Sequence, residues 1–587
     1  MKFVKNNWVK SLIINAIILF VVCISSDVLY ENNDDFSIAL RIVSGYPNVS
    51  FVHYFLCKLM ILIQKTTQSV NIFMLLQIIS SFISFWIFLK IIFDNCKNKF
   101  LLAVSEFAVL LFSYDHYSMV SFTKTAALLM VVGTIVVIDS FASKIHTEKF
   151  NSYYILGFIF IYLGISFRAD AYIAAIGYAG IFFITWIIES LRNKEFKLKK
   201  DEYFEKKRIF IYVITAVILL GGFLWTGISE KFNTNTAELR TAGEYSEYRS
   251  YALDYMAYEN YVKSNADWSH INIDENDLYL IKHWHLDFDG AASLDKLHEI
   301  HDAERSLNIG QKSTIRSALG SFKKNTVNDL RSFNMTGVHI MVMIITAIYV
   351  ISSPYNKKSK WLYVILVGVF SLCIYIGIYY IGRDEYRALY VADIACVLWL
   401  IYFASLNERK IVHKNENEAK NLKSIYKICA IMTCICISLL IYQVCKTCER
   451  YFDDNKARVM TKELKNYIDD NNKKLFVFST YEKPASEYYA KPMKAPYQTE
   501  KNMINTGNWG TMTPYMTQTL AEKGISNPIR DLINNDKAYY IGNDYVDRLT
   551  IYYNKWYGKD GTIRMEKVDS IGGYGGVWKV KQTKIED

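Results

Sequence analysis

Three acidic side chains lie close together near the start of the chain, directly after the first long apolar run. They are Glu31, Asp34 and Asp35, in the segment Tyr30–Phe36. Ionised groups beside hydrocarbon are costly, so such a cluster requires solvent, a partner or a function. A carboxylate in this setting can act as a general base toward a hydroxyl group. A solvated loop with a helix N-cap at Asp34 or Asp35 explains the same residues, so both interpretations stay open at this point.

Further polar residues lie at the ends of apolar runs elsewhere in the chain. They are Tyr114-Asp115-His116-Tyr117 with nearby Lys124, then Arg168 and Asp170, and then Gly382-Arg383-Asp384-Glu385-Tyr386-Arg387. Arginine suits a phosphate group, because its guanidinium fork matches the phosphate oxygens and stays charged. A carboxylate beside arginine at a membrane boundary is therefore what sugar transfer from a phosphate-linked lipid requires. Arginines near helix ends also reach toward lipid headgroups, and Glu385 could pair with Arg387 locally, so each residue alone has a structural explanation.

The composition predicts a polytopic membrane protein with soluble parts. The chain has 587 residues, of which 52% are hydrophobic and 15% aromatic, and its mean hydropathy is +0.09. Several apolar runs approach the length of about 20 residues that a bilayer span needs. The formal net charge is +10, but the basic residues lie mainly between apolar runs, which is typical of cytosolic loops rather than of a nucleic-acid-binding surface. The cysteine spacing shows neither a disulfide framework nor a zinc site.

The apolar runs and the basic connectors together predict about eleven membrane crossings, with the N-terminus in the cytosol. The crossing runs are 9–27, 70–93, 100–113, 122–141, 153–167, 170–189, 209–228, 337–352, 362–381, 387–405 and 426–445. The connector 190–208 is rich in lysine and arginine and is expected on the cytosolic side. The count agrees with that side only if the apolar segment 51–64 lies along the outer surface as a juxtamembrane helix. The acidic segment then lies outside, in a first outer loop at 28–69.

These crossings divide the chain into four predicted parts. They are an N-terminal transmembrane module at 1–228, a helical insertion outside the membrane at 229–336, further transmembrane helices at 337–446, and a small extracytoplasmic α/β domain at 447–587. Within the insertion, the clearest predicted helix is 294–308. In the last part we expect a helix over 456–471 and strands at Lys474–Ser479, Ala538–Ile541, Leu549–Tyr553 and Gly576–Val580.

With these features the chain resembles the GT-C superfamily, the membrane glycosyltransferases that use polyprenyl-phosphate sugars. The similarity lies in the first helix, the outer loop with Asp34 and Asp35, the juxtamembrane segment, and a large outer insertion after the seventh span. The chain is more similar still to uncharacterised bacterial GT-C-like membrane proteins found among cell-surface polysaccharide genes. The residues that carry this resemblance are Asn33-Asp34-Asp35-Phe36, Ser44-Gly45-Tyr46-Pro47, His53, Thr123-Lys124-Thr125, Arg168, Gly382-Arg383 with Arg387, Glu247-Tyr248-Arg249 with Asp254-Tyr255, and Trp509 followed by Thr513-Pro514.

The resemblance implies roles for particular residues. One of Asp34 and Asp35 would be the catalytic base, and Glu31 is an alternative. Three arginines become candidates for binding the donor phosphate; they are Arg168, Arg383 and Arg387. The other candidates for contact with substrate are Glu31, His53, His116, Lys124, Asp170 and Glu385.

The reaction that the resemblance implies is inverting transfer of a hexosyl or pentosyl group at the outer face of the cell membrane. A polyprenyl-phosphate sugar would be the donor, and a glycan, lipid or protein would be the acceptor. No other cofactor is identified, and a requirement for a divalent metal stays open. Nucleic acid is not expected as a partner.

Two other classes of function compete with the enzyme. A transporter or flippase of lipid-linked saccharides would place charged residues inside the spans, where Glu106 and Asp393 are the main candidates. A non-enzymatic scaffold for envelope assembly would use the outer domains as binding modules. Most of the charged residues at the ends of apolar runs are predicted on the outer side, which favours the enzyme.

Overall fold

The computed structural model describes most of the chain. The described residues are 6–25, 28–31, 33–49, 51–96, 99–147, 153–192, 220–254, 257–264, 267–306, 314–352, 357–382, 385–411, 419–480, 493–496, 502–572 and 575–584. The chain forms two compact units. The helical unit comprises Met1–Glu230, Thr314–Tyr451 and Pro492–Ala495, and the mixed unit comprises Lys231–Ser313, Phe452–Lys491 and Pro496–Asp587.

Helices dominate the described structure. In chain order they are α1 (Asn7–Ser25), α2 (Asn33–Val43), α3 (Tyr54–Gln64), α4 (Ile72–Asn95), α5 (Lys99–Ser118), α6 (Phe122–Thr147), α7 (Tyr153–Phe167), α8 (Ala171–Arg192), α9 (220–233), α10 (Ala237–Asp254), α11 (Ala257–Ser264), α12 (Glu275–Lys282), α13 (Leu294–Ser306), α14 (Ile315–Ser332), α15 (Met335–Ser352), α16 (Lys357–Tyr380), α17 (Tyr386–Ile411), α18 (Ala419–Asp470), α19 (Pro514–Glu522) and α20 (Val546–Tyr557). The strands are β1 (Leu29–Tyr30), β2 (Met119–Val120), β3 (Leu475–Phe478), β4 (Met503–Asn505), β5 (Ala538–Ile541), β6 (Gly561–Ile571) and β7 (Gly575–Lys584).

Several helices are long and apolar enough to cross a membrane. Among the described residues there are six, namely Asn7–Ser25, Ile72–Asn95, Phe122–Ser140, Ser359–Tyr380, Tyr386–Leu406 and Ala430–Glu449. The number becomes seven if α14 and α15, which meet at 93°, count as one bent span. This set is compatible with a membrane protein, but it does not confirm about eleven crossings.

Some predicted crossings are not among the candidate spans of the structure, and their length or charge gives the reason. The run 153–167 forms α7, whose 15 residues are shorter than the roughly 20 that cross a bilayer. The run 100–113 lies on α5, which also carries Glu106 and Asp115. The segment 51–64 forms the short apolar helix α3, as expected, although its place relative to a membrane stays a prediction. Part of the run 209–228 lies outside the described residues.

Helices α6 and α7 pack with their backbones in close approach. A Cβ added at Gly133 would lie 2.7 Å from the carbonyl oxygen of Gly157, and one added at Gly157 would lie 2.8 Å from the carbonyl oxygen of Gly133. Small residues at facing positions permit such a contact between membrane-type helices. This contact holds α6 in the helical unit, and the start of α6 carries the candidate residue Lys124.

The mixed unit contains a five-stranded sheet in the order β4-β3-β5-β7-β6. Strand β3 pairs in parallel with β4 and β5, and β7 pairs antiparallel with β5 and β6. The predictions of strands at Lys474–Ser479, Ala538–Ile541 and Gly576–Val580 are confirmed by β3, β5 and β7. Strand β6 was not predicted, because it is largely exposed and reads as a polar connector.

The predicted strand Leu549–Tyr553 is wrong, because these residues lie in α20. The buried positions of α20 include Val546, Leu549 and Tyr553. These positions recur at the spacing of one helix face, whereas the β-branched and aromatic content of the segment favours a strand. Here the tertiary packing overrides the local propensity.

Both polar regions of the chain contribute to one hydrophobic core in the mixed unit. Leu278, Leu286 and Leu297 come from the first region, and Val477 and Tyr540 come from the second. The predicted helix 294–308 is confirmed by α13, which supplies Leu297. Most of the insertion, Lys231–Ser313, therefore folds as one unit with most of the C-terminal region, whereas its last part, from Thr314, belongs to the helical unit.

Replacing Gly157 with alanine should destabilise the helical unit by about 1–3 kcal/mol, the usual range for overpacking, because the new methyl group would meet the backbone of α6. The expected result is a lower midpoint of thermal unfolding in detergent. Gly368→Ala in α16 is the matched control, since a Cβ there meets no atom of the described residues within 4 Å. Equal midpoints for the two variants would contradict the close packing of α6 on α7.

His285 should make the mixed unit sensitive to acid. Its side chain is 3% exposed, and among the described residues neither ring nitrogen has a hydrogen-bond partner. Burial, together with the nearby His283, lowers the pKa of His285 from 6.5 to about 3. In the unfolded chain, His285 therefore binds a proton as the pH falls through 6.5, whereas in the folded unit it stays neutral. The free energy of unfolding decreases as the pH drops below 6.5.

The expected loss of stability from this one group between pH 7 and pH 5 is about 2 kcal/mol. Hydrogen exchange of core amides in the mixed unit, corrected for intrinsic rates, measures it. His285→Phe should weaken the pH dependence by that amount, because the other titrating groups remain in both proteins. An unchanged pH dependence in this variant would show that His285 is protonated in the folded unit.

Candidate functional site

A short parallel strand pair attaches the acidic segment to the junction between α5 and α6. Leu29 and Tyr30 of β1 pair with Met119 and Val120 of β2. The next residue, Glu31, donates its N–H to the carbonyl oxygen of Val120 at 3.0 Å. The backbone of the first loop is thereby fixed beside the end of α5 and the start of α6.

The ammonium group of Lys124 lies between two carboxylates at this junction. Its Nζ is 3.0 Å from Oδ2 of Asp115 and 3.4 Å from Oε2 of Glu31. The side chains of Lys124 and Asp115 have no exposed surface, and that of Glu31 is 9% exposed. Burial raises the pKa of Glu31, whereas the charge of Lys124 lowers it. Buried charges of this kind are stable only when they are paired.

The first turn of α17 supplies two adjacent side chains to the same site. The Tyr386 hydroxyl donates to Oδ2 of Asp115 at 2.9 Å. Nη1 of Arg387 lies 3.1 Å from Oδ2 of Asp34, and these two side chains are 23% and 27% exposed. The acidic cluster, defined as Glu31, Asp34, Asp35, Asp115, Lys124 and Arg387, therefore has a buried half and a half that reaches solvent.

The two adjacent aspartates have different environments. Asp35 is fully buried, and its Oδ1 accepts the N–H of Phe122 at 2.9 Å and Nε2 of Gln77 at 3.4 Å. Burial raises the pKa of Asp35 well above its usual range, although the bond from Phe122 opposes this rise. Asp35 therefore satisfies a backbone donor at the first residue of α6, whereas Asp34 is the aspartate that both solvent and Arg387 reach.

Arg168 lies on the other side of the start of α6. Its Nη1 donates to Oγ1 of Thr123 at 2.9 Å, and its Nε lies 3.4 Å from Oδ2 of Asp170, which is 81% exposed. The guanidinium carbon is 5.4 Å from the centre of the Phe122 ring and 5.7 Å from that of Phe51. The guanidinium of Arg168 thus packs on Phe122, the residue whose N–H donates to Asp35.

The two histidine candidates are engaged in packing. His53 caps α3, because its Nδ1 accepts the N–H of Phe55 at 3.2 Å, and its Nε2 lies 2.9 Å from the carbonyl oxygen of Trp225. The ring also stacks on Trp225, and burial lowers the pKa of His53. His116 is buried, with Nδ1 3.1 Å from the Tyr390 hydroxyl. Neither ring is presented to solvent as a substrate-binding group would be.

The remaining candidates lie at the start of α17. Arg383 lies outside the described residues. Glu385 is exposed, and its carbonyl oxygen accepts the N–H groups of Ala388 and Leu389 in the first turn of the helix. Of the two arginine candidates that the structure describes, Arg168 and Arg387, Arg387 is the one placed against a predicted catalytic carboxylate.

A buried polar network, of which sequence reasoning singled out Asp393 but not His339 or Tyr375, continues from the acidic cluster into the helices. The Tyr386 hydroxyl lies 3.4 Å from Nδ1 of His339, and that nitrogen lies 3.5 Å from Oδ2 of Asp393. The Tyr375 hydroxyl donates to Oδ1 of Asp393. The spacing of Tyr386, Tyr390 and Asp393 is i, i+4, i+7, which places them on one helix face and could have revealed the polar face of α17.

The described residues offer no metal centre. Within them, no group of three or more histidine, cysteine, aspartate or glutamate side chains could hold a metal ion. Within the acidic cluster, Lys124 pairs with Glu31 and Asp115, and Arg387 pairs with Asp34.

Comparison with known proteins gives no relative for this chain. The sequence matches no protein-family model, and no curated protein or solved structure shows significant similarity to it. Membership of the GT-C superfamily therefore stays an expectation from the residues, and function has to be inferred from the chemistry of the acidic cluster.

Replacing Lys124 with methionine should destabilise the helical unit by about 3–5 kcal/mol, because the change leaves Asp115 and Glu31 buried without their cation. The midpoint of thermal unfolding in detergent measures the effect. Lys446→Met is the matched control: it removes the exposed pair with Glu449, whose side chains are 53% and 62% exposed, and such pairs contribute about 0–1 kcal/mol. If both variants unfold at the same temperature, the buried pair does not support the cluster.

Proposed function

We propose that this chain is a membrane glycosyltransferase that moves a sugar from a lipid-phosphate donor to a hydroxyl acceptor. The observation that carries the proposal is the contact between Asp34 and Arg387. A carboxylate and a guanidinium group meet at 3.1 Å, and both remain partly open to solvent. This pairing provides a base for a hydroxyl and a cation for a phosphate in adjacent positions.

In the proposed reaction, the acceptor hydroxyl approaches Asp34 and its oxygen attacks the anomeric carbon of the donor sugar. The carboxylate of Asp34 takes the hydroxyl proton as the new C–O bond forms. The bond between the anomeric carbon and the phosphate oxygen breaks, and the phosphate leaves with the bonding electrons. Arg387 stabilises the charge that develops on this oxygen. Attack from the side opposite the phosphate inverts the anomeric configuration.

Differences in burial support the choice of Asp34 as the base. Asp35 is fully buried and accepts the N–H of Phe122, so an acceptor hydroxyl would have to displace a structural hydrogen bond. Glu31 faces Lys124 in the buried half of the cluster. The guanidinium of Arg387 has five N–H donors, and can therefore contact a phosphate while it stays close to Asp34.

The membrane arrangement of the proposal comes from the sequence. We infer about eleven crossings of the cell membrane, with a cytosolic N-terminus and the acidic cluster at the outer face. The candidate spans of the structure support a membrane location, and the basic connector 190–208 supports the orientation. The mixed unit would then lie outside and bind a glycan, lipid or protein acceptor. Arg168 and Arg383 are retained as further contacts for the donor phosphate.

Asp34→Asn should lower sugar transfer by about 10²–10⁴-fold, the usual contribution of a positioned general base. The assay uses the full chain in liposomes with a series of synthetic polyprenyl-phosphate hexoses and pentoses as donors and a panel of glycan, lipid and peptide acceptors that carry free hydroxyl groups, and measures the release of polyprenyl phosphate that depends on the acceptor. Asp94→Asn is the matched control, because Asp94 is an exposed carboxylate of the helical unit that also contacts a basic side chain, Lys90, and is not a candidate site residue. An Asp34→Asn protein with the activity of the control would refute the assignment of the base.

A specific observation also favours a transporter or flippase as a second candidate. Asp393 lies in the candidate span Tyr386–Leu406 and contacts His339 and Tyr375, with no exposed surface on Asp393 or His339. Ionisable residues inside spans often mark proton or substrate pathways. In a flipping assay with fluorescent polyprenyl-phosphate sugars, a transporter should lose translocation in Asp393→Asn and keep it in Asp34→Asn.

A further inference from the structure

Helix α14 meets α15 at a right-angled junction of defined geometry. Phe333, between the two helices, has a φ of +49°, and the helix axes meet at 93°. The Asn334 side chain accepts the N–H of Gly337 at 2.9 Å and donates to Asp329 at 2.6 Å. A Cβ at Gly337 would lie 2.2 Å from the carbonyl oxygen of Asp329. The last turn of α14 is therefore held tightly against the first turn of α15.

The inner face of α14 packs on the end of another apolar helix. Phe322 contacts Tyr375 and Tyr379, with ring centres 5.7 and 6.2 Å apart, and Ala318 is fully buried in the same cluster. Both tyrosines lie in the last turns of α16, which forms the candidate span Ser359–Tyr380. Helix α14 therefore packs on the end of α16 and is joined to the beginning of α15.

The outward face of α14 combines apolar and basic side chains. One row at i, i+4 spacing carries exposed Ile315, Leu319 and Val327, which are 67%, 43% and 37% exposed. The basic residues of the same exposed face are Arg316, Lys323, Lys324 and Arg331, and Asp329 is the acidic residue of the helix. Five charges in 18 residues are too costly for the bilayer interior, whereas a row of exposed aliphatic groups is unfavourable in water.

We propose that α14 lies along the membrane surface and that its outward face binds anionic phospholipid headgroups. The aliphatic row would enter the boundary between headgroups and acyl chains, and the basic residues would contact the phosphates. Two features support this occupant over a protein: the excess of positive charge on the face, and its position level with the ends of two apolar helices. The inference holds for any membrane function of the chain and does not depend on the proposed enzyme.

The first experiment measures stabilisation of the full chain by phosphatidylglycerol against phosphatidylcholine in nanodiscs. Phosphatidylglycerol should raise the midpoint of thermal unfolding of the wild type. The triple variant Arg316→Gln, Lys323→Gln and Lys324→Gln should lose this response, since each charge contributes about a fivefold change in affinity. The matched control removes three exposed lysines of the mixed unit, Lys473→Gln, Lys537→Gln and Lys559→Gln, and should keep it. A response retained by the α14 variant overturns the proposal.

The second experiment identifies the occupant directly and leaves the basic residues unchanged. The photoreactive residue benzoylphenylalanine is placed at Leu319 on the outward face, or at Phe322 on the inner face as a control. After irradiation in phosphatidylglycerol liposomes, mass spectrometry should find a phospholipid adduct at 319 and an intramolecular cross-link at 322. A cross-link from 319 to a polypeptide, whether a second copy or another protein, overturns the proposal, as does the absence of a lipid adduct at 319.

Discussion

The buried ammonium group of Lys124 is the interaction on which the rest of the acidic cluster depends. A lysine without exposed surface is stable only when carboxylates balance its charge, and two segments of the chain supply them: Asp115 from α5 and Glu31 from the first loop. The backbone pairing of β1 with β2 places Glu31 beside Lys124, and the Tyr386 hydroxyl donates a further hydrogen bond to Asp115. One positive charge thereby fixes the first loop, two neighbouring helices and the start of α17 relative to one another.

The sequence identifies the members of the candidate site better than their arrangement. Asp34 and Arg387 are recognisable because both lie at the ends of apolar runs. The choice between Asp34 and Asp35 is not visible, since the burial of Asp35 depends on a backbone donor at Phe122, far along the chain. The importance of Tyr386 is hidden for the same reason: its partner Asp115 is brought close only by the packing of separate helices.

The fold shows the same limit of local information. The apolar runs predict the helices of the helical unit, because hydrophobicity over many residues is a strong signal. Hydrophobicity does not decide whether a short helix such as α7 crosses a membrane, which leaves the number of crossings open. In the mixed unit, β5 is predictable from its short apolar pattern, whereas Leu549–Tyr553 is misread because its β-forming residues pack as one face of α20. The core that unites both polar regions requires contacts that no local pattern contains.

Tyr386 and Arg387 are consecutive residues of α17, so a movement of this turn shifts both side chains together. Successive side chains leave a helix about 100° apart, so one turn of α17 holds a buried hydroxyl on Asp115 and a solvent-accessible guanidinium on Asp34. A small rotation of this turn that separates Arg387 from Asp34 also shifts the Tyr386 hydroxyl on Asp115. The first turn of α17 therefore connects the buried pair of Lys124 and Asp115 to the partly exposed pair of Arg387 and Asp34. An anion that draws Arg387 outward would also change the hydrogen bonding around Lys124.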